Sequence, residues 1–238
     1  MKIYNVGNRI VNTYIYLTKS GYIMIDTGYD NGYYSVVKKL KKLNIEVNYI
    51  FLTHAHDDHA GFLDEFLKKN PNVKVIIHPK AKDTLKKGQN SFEGGCSSIL
   101  ALLFCNIMKV FGRGQHIYPK IDKQNFNRFI EINDKNKDEL EKILEGKIYF
   151  TPGHTKDSIS LMTEEGILFC GDAAMNGFPS LNKITIWIED KEKYIESWKK
   201  IIRLKPSKIY PGHGRKFHYL KLKENMKKLE KVKLYKLK

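Results

Sequence analysis

The segment Thr53-His54-Ala55-His56-Asp57-Asp58-His59-Ala60-Gly61 constrains this chain more than any other stretch. Between His54 and His59 every side chain except Ala55 is a potential metal ligand. Imidazole and carboxylate together suit a borderline cation such as zinc. Packing alone gives no reason for such a density of polar groups. The segment follows an apolar run, Tyr49-Ile50-Phe51-Leu52, and opens what reads as a helix. The expected local structure is a strand that ends, turns and displays its ligands at the turn. In extended backbone, residues two apart leave on the same face, so His54 and His56 suit one cation. Asp58 and His59 come after the turn and point elsewhere, which suits a second cation. Asp57 is expected to face solvent or to cap the following helix.

Four further pieces repeat the pattern of a strand followed by a donor. They are Tyr22-Ile23-Met24-Ile25-Asp26-Thr27-Gly28, Thr151-Pro152-Gly153-His154-Thr155, Leu168-Phe169-Cys170-Gly171-Asp172 and Tyr210-Pro211-Gly212-His213-Gly214. Each piece alone is a weak signal. With His-x-His-x-Asp-His at their centre, the ordered set resembles the signature of the metallo-β-lactamase superfamily. The resemblance runs over roughly residues 15 to 215. It implies that His54, His56 and His154 hold a first cation, that Asp58, His59 and His213 hold a second, and that Asp172 bridges the two. Asp58 and Asp172 are then the candidate catalytic carboxylates. Asp26 is expected to orient the metal loop through hydrogen bonds rather than to bind metal. Of the eight histidines, five lie in these motifs; His78, His116 and His218 remain, and His78 and His218 read as structural and solvent-facing respectively.

The 238 residues are expected to form one domain, with 88–145 as an inserted lid or pocket wall. The opening Met1-Lys2-Ile3-Tyr4 leads into strand-like sequence without an apolar leader, and three cysteines form no disulfide framework. Both features lead to the expectation of a cytoplasmic protein without a transmembrane segment. Net charge is +16, from 42 basic and 26 acidic residues. Such a charge is compatible with a nucleic-acid partner. Against that, the lysines are scattered, and arginine, the better phosphate ligand, is confined to Arg9, Arg113, Arg128, Arg203 and Arg215. A small-molecule substrate is the favoured partner, with nucleic acid second; oligomeric state is not legible.

Val11–Leu17 and Tyr22–Ile25 read as an antiparallel hairpin, and Tyr33–Leu43 as an amphipathic helix. Tyr49–Leu52 and Val73–Ile77 read as strands, with a helical face Phe62, Leu63, Phe66 and Leu67 between them, ended by Asn70-Pro71. Strands follow at Lys147–Phe150, Ile159–Met162, Ile167–Cys170 and Ser207–Tyr210, with helices over Tyr194–Leu204 and the Lys-rich end. The order predicts a mixed α+β or α/β chain. The resemblance makes it a four-layer αβ/βα sandwich, the metallo-β-lactamase fold, with a helical insertion. Gly94–Met108 holds no charged residue and is too short to span a bilayer, which needs about 20 apolar residues. It reads as a lid, a core helix or a membrane-surface helix.

The implied activity is that of a dinuclear metal-dependent hydrolase, using a metal-bridging hydroxide on a small ester, thioester or lactone. Two Zn²⁺ are the expected cofactors, with iron or manganese as alternatives. The superfamily's di-iron oxygen-reducing branch typically carries Glu at the place of His56, so histidine there favours zinc hydrolysis. Its lactone hydrolases typically carry Tyr at the place of Met175. The alternatives are a metal-dependent nuclease or phosphodiesterase, a β-lactamase, and a single-iron persulfide dioxygenase, which keeps the same motif set.

Overall fold

The computed structural model describes residues 1–112 and 114–237; Arg113 and Lys238, counted in the charge above, lie outside the described residues. In chain order the elements are β1 (Ile3–Asn5), β2 (Tyr14–Thr18), β3 (Gly21–Ile25), α1 (Tyr33–Lys42), β4 (Val47–Phe51), α2 (Asp57–Ala60), α3 (Leu63–Lys69), β5 (Lys74–Ile77) and α4 (Ala81–Lys87). They continue with β6 (Gly95–Cys96), α5 (Ile99–Val110), β7 (Phe129–Glu131), α6 (Lys137–Leu144), β8 (Gly146–Phe150), β9 (Ile159–Thr163) and β10 (Ile167–Gly171). The last are β11 (Trp187–Ile188), α7 (Lys191–Leu204), β12 (Lys208–Pro211) and α8 (Leu220–Glu230). Two compact units result. One comprises Met1–Asn90 and Ile117–Ile148, the other Ser91–His116 and Tyr149–Lys238. The stretch 88–145 is divided between them at Asn90 and His116.

The first unit is built on a six-stranded sheet of order β1-β2-β3-β4-β5-β7. Its β1–β2–β3 part is antiparallel, and β3, β4, β5 and β7 run parallel. Gly21, at φ +108°, turns the β2–β3 hairpin, and Thr18 Oγ1 donates to its carbonyl at 3.0 Å. In α1 the apolar positions Tyr33, Val36 and Leu40 recur at three and four residues and are buried, while Lys39, Lys41 and Lys42 lie in the last turn, where cations favour the helix dipole. α3 stops at Asn70, directly before Pro71. Ile15, Met24, Ile50, Val75 and Ile77 from the sheet pack with Phe62, Leu63, Phe66 and Leu67 in one core. Each such burial contributes about 1.5–3 kcal/mol. The register pairs Ile25 with Phe51, so the two chain segments that leave β3 and β4 emerge side by side.

The second unit carries a four-stranded sheet of order β12-β10-β9-β8 and a short ribbon of β11 with β6. β9 and β10 are antiparallel, whereas β10 and β12 are parallel with Leu168 opposite Ile209. α7 begins at an Asp190 cap whose Oδ1 accepts the Lys193 N–H at 3.0 Å, and it buries Tyr194, Trp198 and Ile201. These side chains join Leu168, Cys170, Ile209, Leu222 and Leu229 in a second core. Cys170 is thus a packed strand residue. The apolar stretch after Gly94 becomes α5, capped by Ser98 Oγ accepting from the Ala101 N–H at 3.0 Å. A core helix it is not: Ala101 is its buried residue, while Ile99, Leu103, Ile107 and Val110 are exposed. Among the described residues, no helix is long and apolar enough to cross a membrane.

Candidate metal centre

In the first unit the donors stand on the short run between β4 and α3. Asp26, immediately after β3, sits at φ +58° with its N–H donating to the Phe51 carbonyl at 3.1 Å. Its carboxylate is shared among three partners. Oδ1 accepts the Thr53 N–H at 2.7 Å, and Oδ2 accepts the Thr53 hydroxyl at 2.8 Å and faces His59 Nδ1 at 2.8 Å. A carboxylate only accepts, so His59 Nδ1 carries the proton and Nε2 is the ring's unprotonated nitrogen, the one that could take a cation. The Thr53 hydroxyl spends its proton on Asp26, so its oxygen accepts from His54 Nδ1 at 3.1 Å. The same reasoning makes Nε2 the unprotonated nitrogen of His54. Two imidazoles are therefore oriented by one buried carboxylate.

The rings cluster closely. His54 lies 4.7 Å from His56 and 4.1 Å from His59, centroid to centroid, and all three are buried. His56, in extended backbone, is the residue before α2. Asp58 Oδ1 is 3.8 Å from His59 Nε2, too far for a hydrogen bond and close enough for two ligands around one ion. Asp57 is not the cap. It opens α2, and its N–H and carboxylate exchange hydrogen bonds with the Asn90 side chain at 2.9 and 2.7 Å. The loop is tied down elsewhere by Thr27, whose N–H and hydroxyl both donate to the His59 carbonyl at 2.8 Å, and by the Tyr118 hydroxyl on the Ala55 carbonyl at 2.8 Å. Gly61 leaves no room for a side chain: a Cβ there would meet the Asp57 carbonyl oxygen at 2.4 Å.

In the second unit three donors follow three strands. His154 comes after β8, Asp172 after β10 and His213 after β12, and all are buried. His154 Nδ1 donates to the Trp187 carbonyl at 2.8 Å, so here too Nε2 is the unprotonated nitrogen, the one that could take a cation. Nε2 of His154 and Nε2 of His213 both face Asp172 Oδ2, at 3.8 and 3.6 Å. These separations exceed hydrogen-bond length and match donors that each sit about 2.0–2.2 Å from a metal. Backbone contacts fix the loops: the Gly212 N–H donates to the Gly171 carbonyl at 2.8 Å, and the Asn176 N–H to the His213 carbonyl at 3.0 Å. Gly153 and Gly214 have φ of +130° and +82°, and a Cβ on them would meet Tyr194 N at 2.3 Å and Asn176 O at 2.1 Å.

Glu189 is a member of this arrangement that the motifs do not reveal. Its N–H donates to the Gly153 and His154 carbonyls at 2.9 and 3.2 Å, and its Oε2 accepts the Lys156 N–H at 2.8 Å. Burial, reinforced by nearby Asp157 and Glu93, pushes its carboxyl up to about 7, against the pull of Lys156 N–H and Ser91. Thr27, Asn90, Tyr118 and Trp187 are likewise supports that no spacing rule points to. His78 Nδ1 accepts the Lys80 N–H at 2.9 Å in the turn before α4, a structural role. His218 is exposed beside Tyr219, and His116, at φ +47°, has its ring 6.3 Å from Phe92.

Comparison with known proteins finds relatives over most of the chain. The family model of the metallo-beta-lactamase superfamily matches residues 6–213. A beta-lactamase-like protein 2 homolog of Drosophila melanogaster is 30% identical over 210 residues, which cover 85% of this chain and 58% of that protein. The thioesterase pkgB of Emericella nidulans is 29% identical over 217 residues, covering 89% of this chain and 48% of that one. The chain thus spans about half the length of these relatives. Among solved structures, TTHA1623 in a di-iron-bound form superposes with a TM-score of 0.66 at 18% identity, covering 95% of this chain and 98% of that one.

Proposed function

Because this chain belongs to the metallo-beta-lactamase superfamily, we propose that it is a zinc-dependent hydrolase of small thioesters or esters whose two donor sets serve one dinuclear centre. In this reading, which carries the family's pattern onto these residues, His54, His56 and His154 would hold one cation, Asp58, His59 and His213 would hold the other, and Asp172 would serve both. The donor set fits divalent metal by its chemistry, since imidazole nitrogen and carboxylate oxygen are what zinc takes. The observation that carries the reading is the tautomer order. Asp26, Thr53 and the Trp187 carbonyl engage Nδ1 of His59, His54 and His154, which leaves each Nε2 as the unprotonated nitrogen that a cation would take. Structural histidines have no need of such uniformity.

Bound divalent cations would supply an activated water and an electrophile for the scissile carbonyl. The chain's own contribution is orientation. Asp26 holds the rings of His54 and His59 through direct and relayed hydrogen bonds, so neither ring rotates away when a ligand exchanges. Asp172 presents Oδ2 to two Nε2 atoms at once, and its burial keeps bulk water from competing for it. A thioester is favoured among the acyl substrates because a thioesterase stands among the relatives. Met175, buried three residues after Asp172, takes the place where lactone hydrolases of the family typically carry a tyrosine.

The deciding experiment is a panel of acyl thioesters, chromogenic esters, lactones and bis(p-nitrophenyl) phosphate. Metal content is measured on the same preparation. Thioester or ester turnover that chelation abolishes and zinc restores, with two zinc per chain, is the expected result. Turnover confined to the phosphodiester, or one iron per chain with no hydrolysis, would overturn the reading.

A further inference from the structure

Between Glu93 and Asp122 the sequence contains no acidic residue, and within that stretch α5 displays an apolar stripe. Ile99, Leu103, Ile107 and Val110 recur at four and three residues and are 60%, 55%, 55% and 84% exposed. Phe111 extends the stripe at 77%, and Phe178, whose ring packs edge-on to Phe104 at 6.2 Å, adds a further ring at 79%. A helix so apolar is normally buried, and a contiguous exposed patch of this kind marks an interaction surface.

Basic residues border the stripe. Tyr235 and Cys96 exchange backbone hydrogen bonds at 2.8 and 2.9 Å, which lays the Lys-rich tail beside the strand leading into α5. Lys236 of that tail and Lys109 of α5 line, with Phe92, Glu93 and Trp187, a hollow of about 390 Å³. Both lysines are exposed. Within α5 the stripe ends at Val110, directly after Lys109, whose side chain shares this hollow with Lys236 and the rings of Phe92 and Trp187, within a chain of net charge +16.

We propose that α5 is a docking helix for an anionic phospholipid surface. Its stripe lies in the boundary between headgroups and acyl chains, and Lys109 and Lys236 meet the lipid phosphates. Twelve helical residues reach about 18 Å, too short to span a bilayer and suited to lying in its plane. Trp187 beside the lysines is the aromatic type that favours headgroup depth. Charge complementarity selects this occupant over a second copy. Two chains of +16 repel, whereas the negative potential of an anionic leaflet attracts.

The test is co-sedimentation of the full, metal-loaded protein with phosphatidylcholine vesicles and with phosphatidylcholine–phosphatidylglycerol vesicles. Partition onto the anionic vesicles only, weakening as salt rises, is expected, with a blue shift of tryptophan fluorescence. The variant Leu103→Ser/Ile107→Ser should lower partition at least about tenfold, and Lys109→Ala and Lys236→Ala about fivefold each. All four positions are exposed, so unchanged circular dichroism is expected and checks that folding is intact. Absence of partition at low salt, or undiminished partition by the serine variant, overturns the proposal. So does a dimer by light scattering that the serine variant dissolves, which would assign the face to a second copy.

Discussion

Asp26 Oδ2 stands 2.8 Å from His59 Nδ1 and also accepts the Thr53 hydroxyl at 2.8 Å, so one buried oxygen sets the tautomer of two neighbouring imidazoles. Substituting it tests the metal centre without removing a ligand. Asp26→Asn should keep a side chain that accepts from the Thr53 N–H but no longer fixes His59 Nδ1 as the protonated nitrogen. Metal affinity should fall about 10–100-fold. Competition titration against a chromophoric chelator measures this; wild-type affinity would show that Asp26 only shapes the turn.

Metal removal should lower thermal stability. Ligands bound to the folded state alone stabilise it by mass action, and within each unit the candidate donors are held in place by the strands and loops that carry them. Calorimetry before and after chelation should show a lower Tm for the apo protein, recovered when zinc is returned. An unchanged Tm would mean that these side chains bind no cation of consequence.

Gly153→Ala should be costlier than Gly112→Ala. Both glycines have positive φ, but a Cβ at 153 would meet Tyr194 N at 2.3 Å, while at 112 nothing lies within 4 Å. The exposed site should lose only the backbone term, about 1–2 kcal/mol. At 153 the clash with the first turn of α7 adds to it and displaces the His154 loop, so activity should fall as well. Urea denaturation of both variants checks the order; equal losses would contradict it.

Asp64 gives a pH dependence. Burial pushes its carboxyl up, but the Asp122 N–H at 2.8 Å, Lys68 at 2.7 Å and Asn125 at 3.0 Å outweigh that and hold it below its ordinary value. A group depressed in the folded state stabilises it above its unfolded pKa, near 3.9 for Asp, and the contribution is lost as pH falls through the folded value. Acid unfolding of the wild type should therefore be steeper below about pH 4 than that of Asp64→Ala. At neutral pH the variant should lose about 1.5–3 kcal/mol. Parallel acid titrations by circular dichroism would refute the assignment.

The sequence by itself determined the family and named the candidate donors. Strand-ending motifs at Asp26, His54–His59, His154, Asp172 and His213 are local patterns, and local patterns survive without knowledge of packing. Period and punctuation likewise revealed the β2–β3 hairpin, α1, α7 and the end of α3, because alternation, three-and-four spacing and Asn70-Pro71 act within a few residues. Tertiary structure decided the rest. The register of Ile25 with Phe51 brings Asp26 beside Thr53, a relation across 27 positions that no motif encodes. Glu189 reaches the His154 loop through backbone geometry, and its own type gives no hint of this. Asp57 pairs with Asn90 rather than capping its helix, because a side chain 33 residues away supplies better partners than solvent. α5 differs in kind: composition shows that it is apolar, but whether an apolar helix is buried or bare depends on what the remaining chain lays against it.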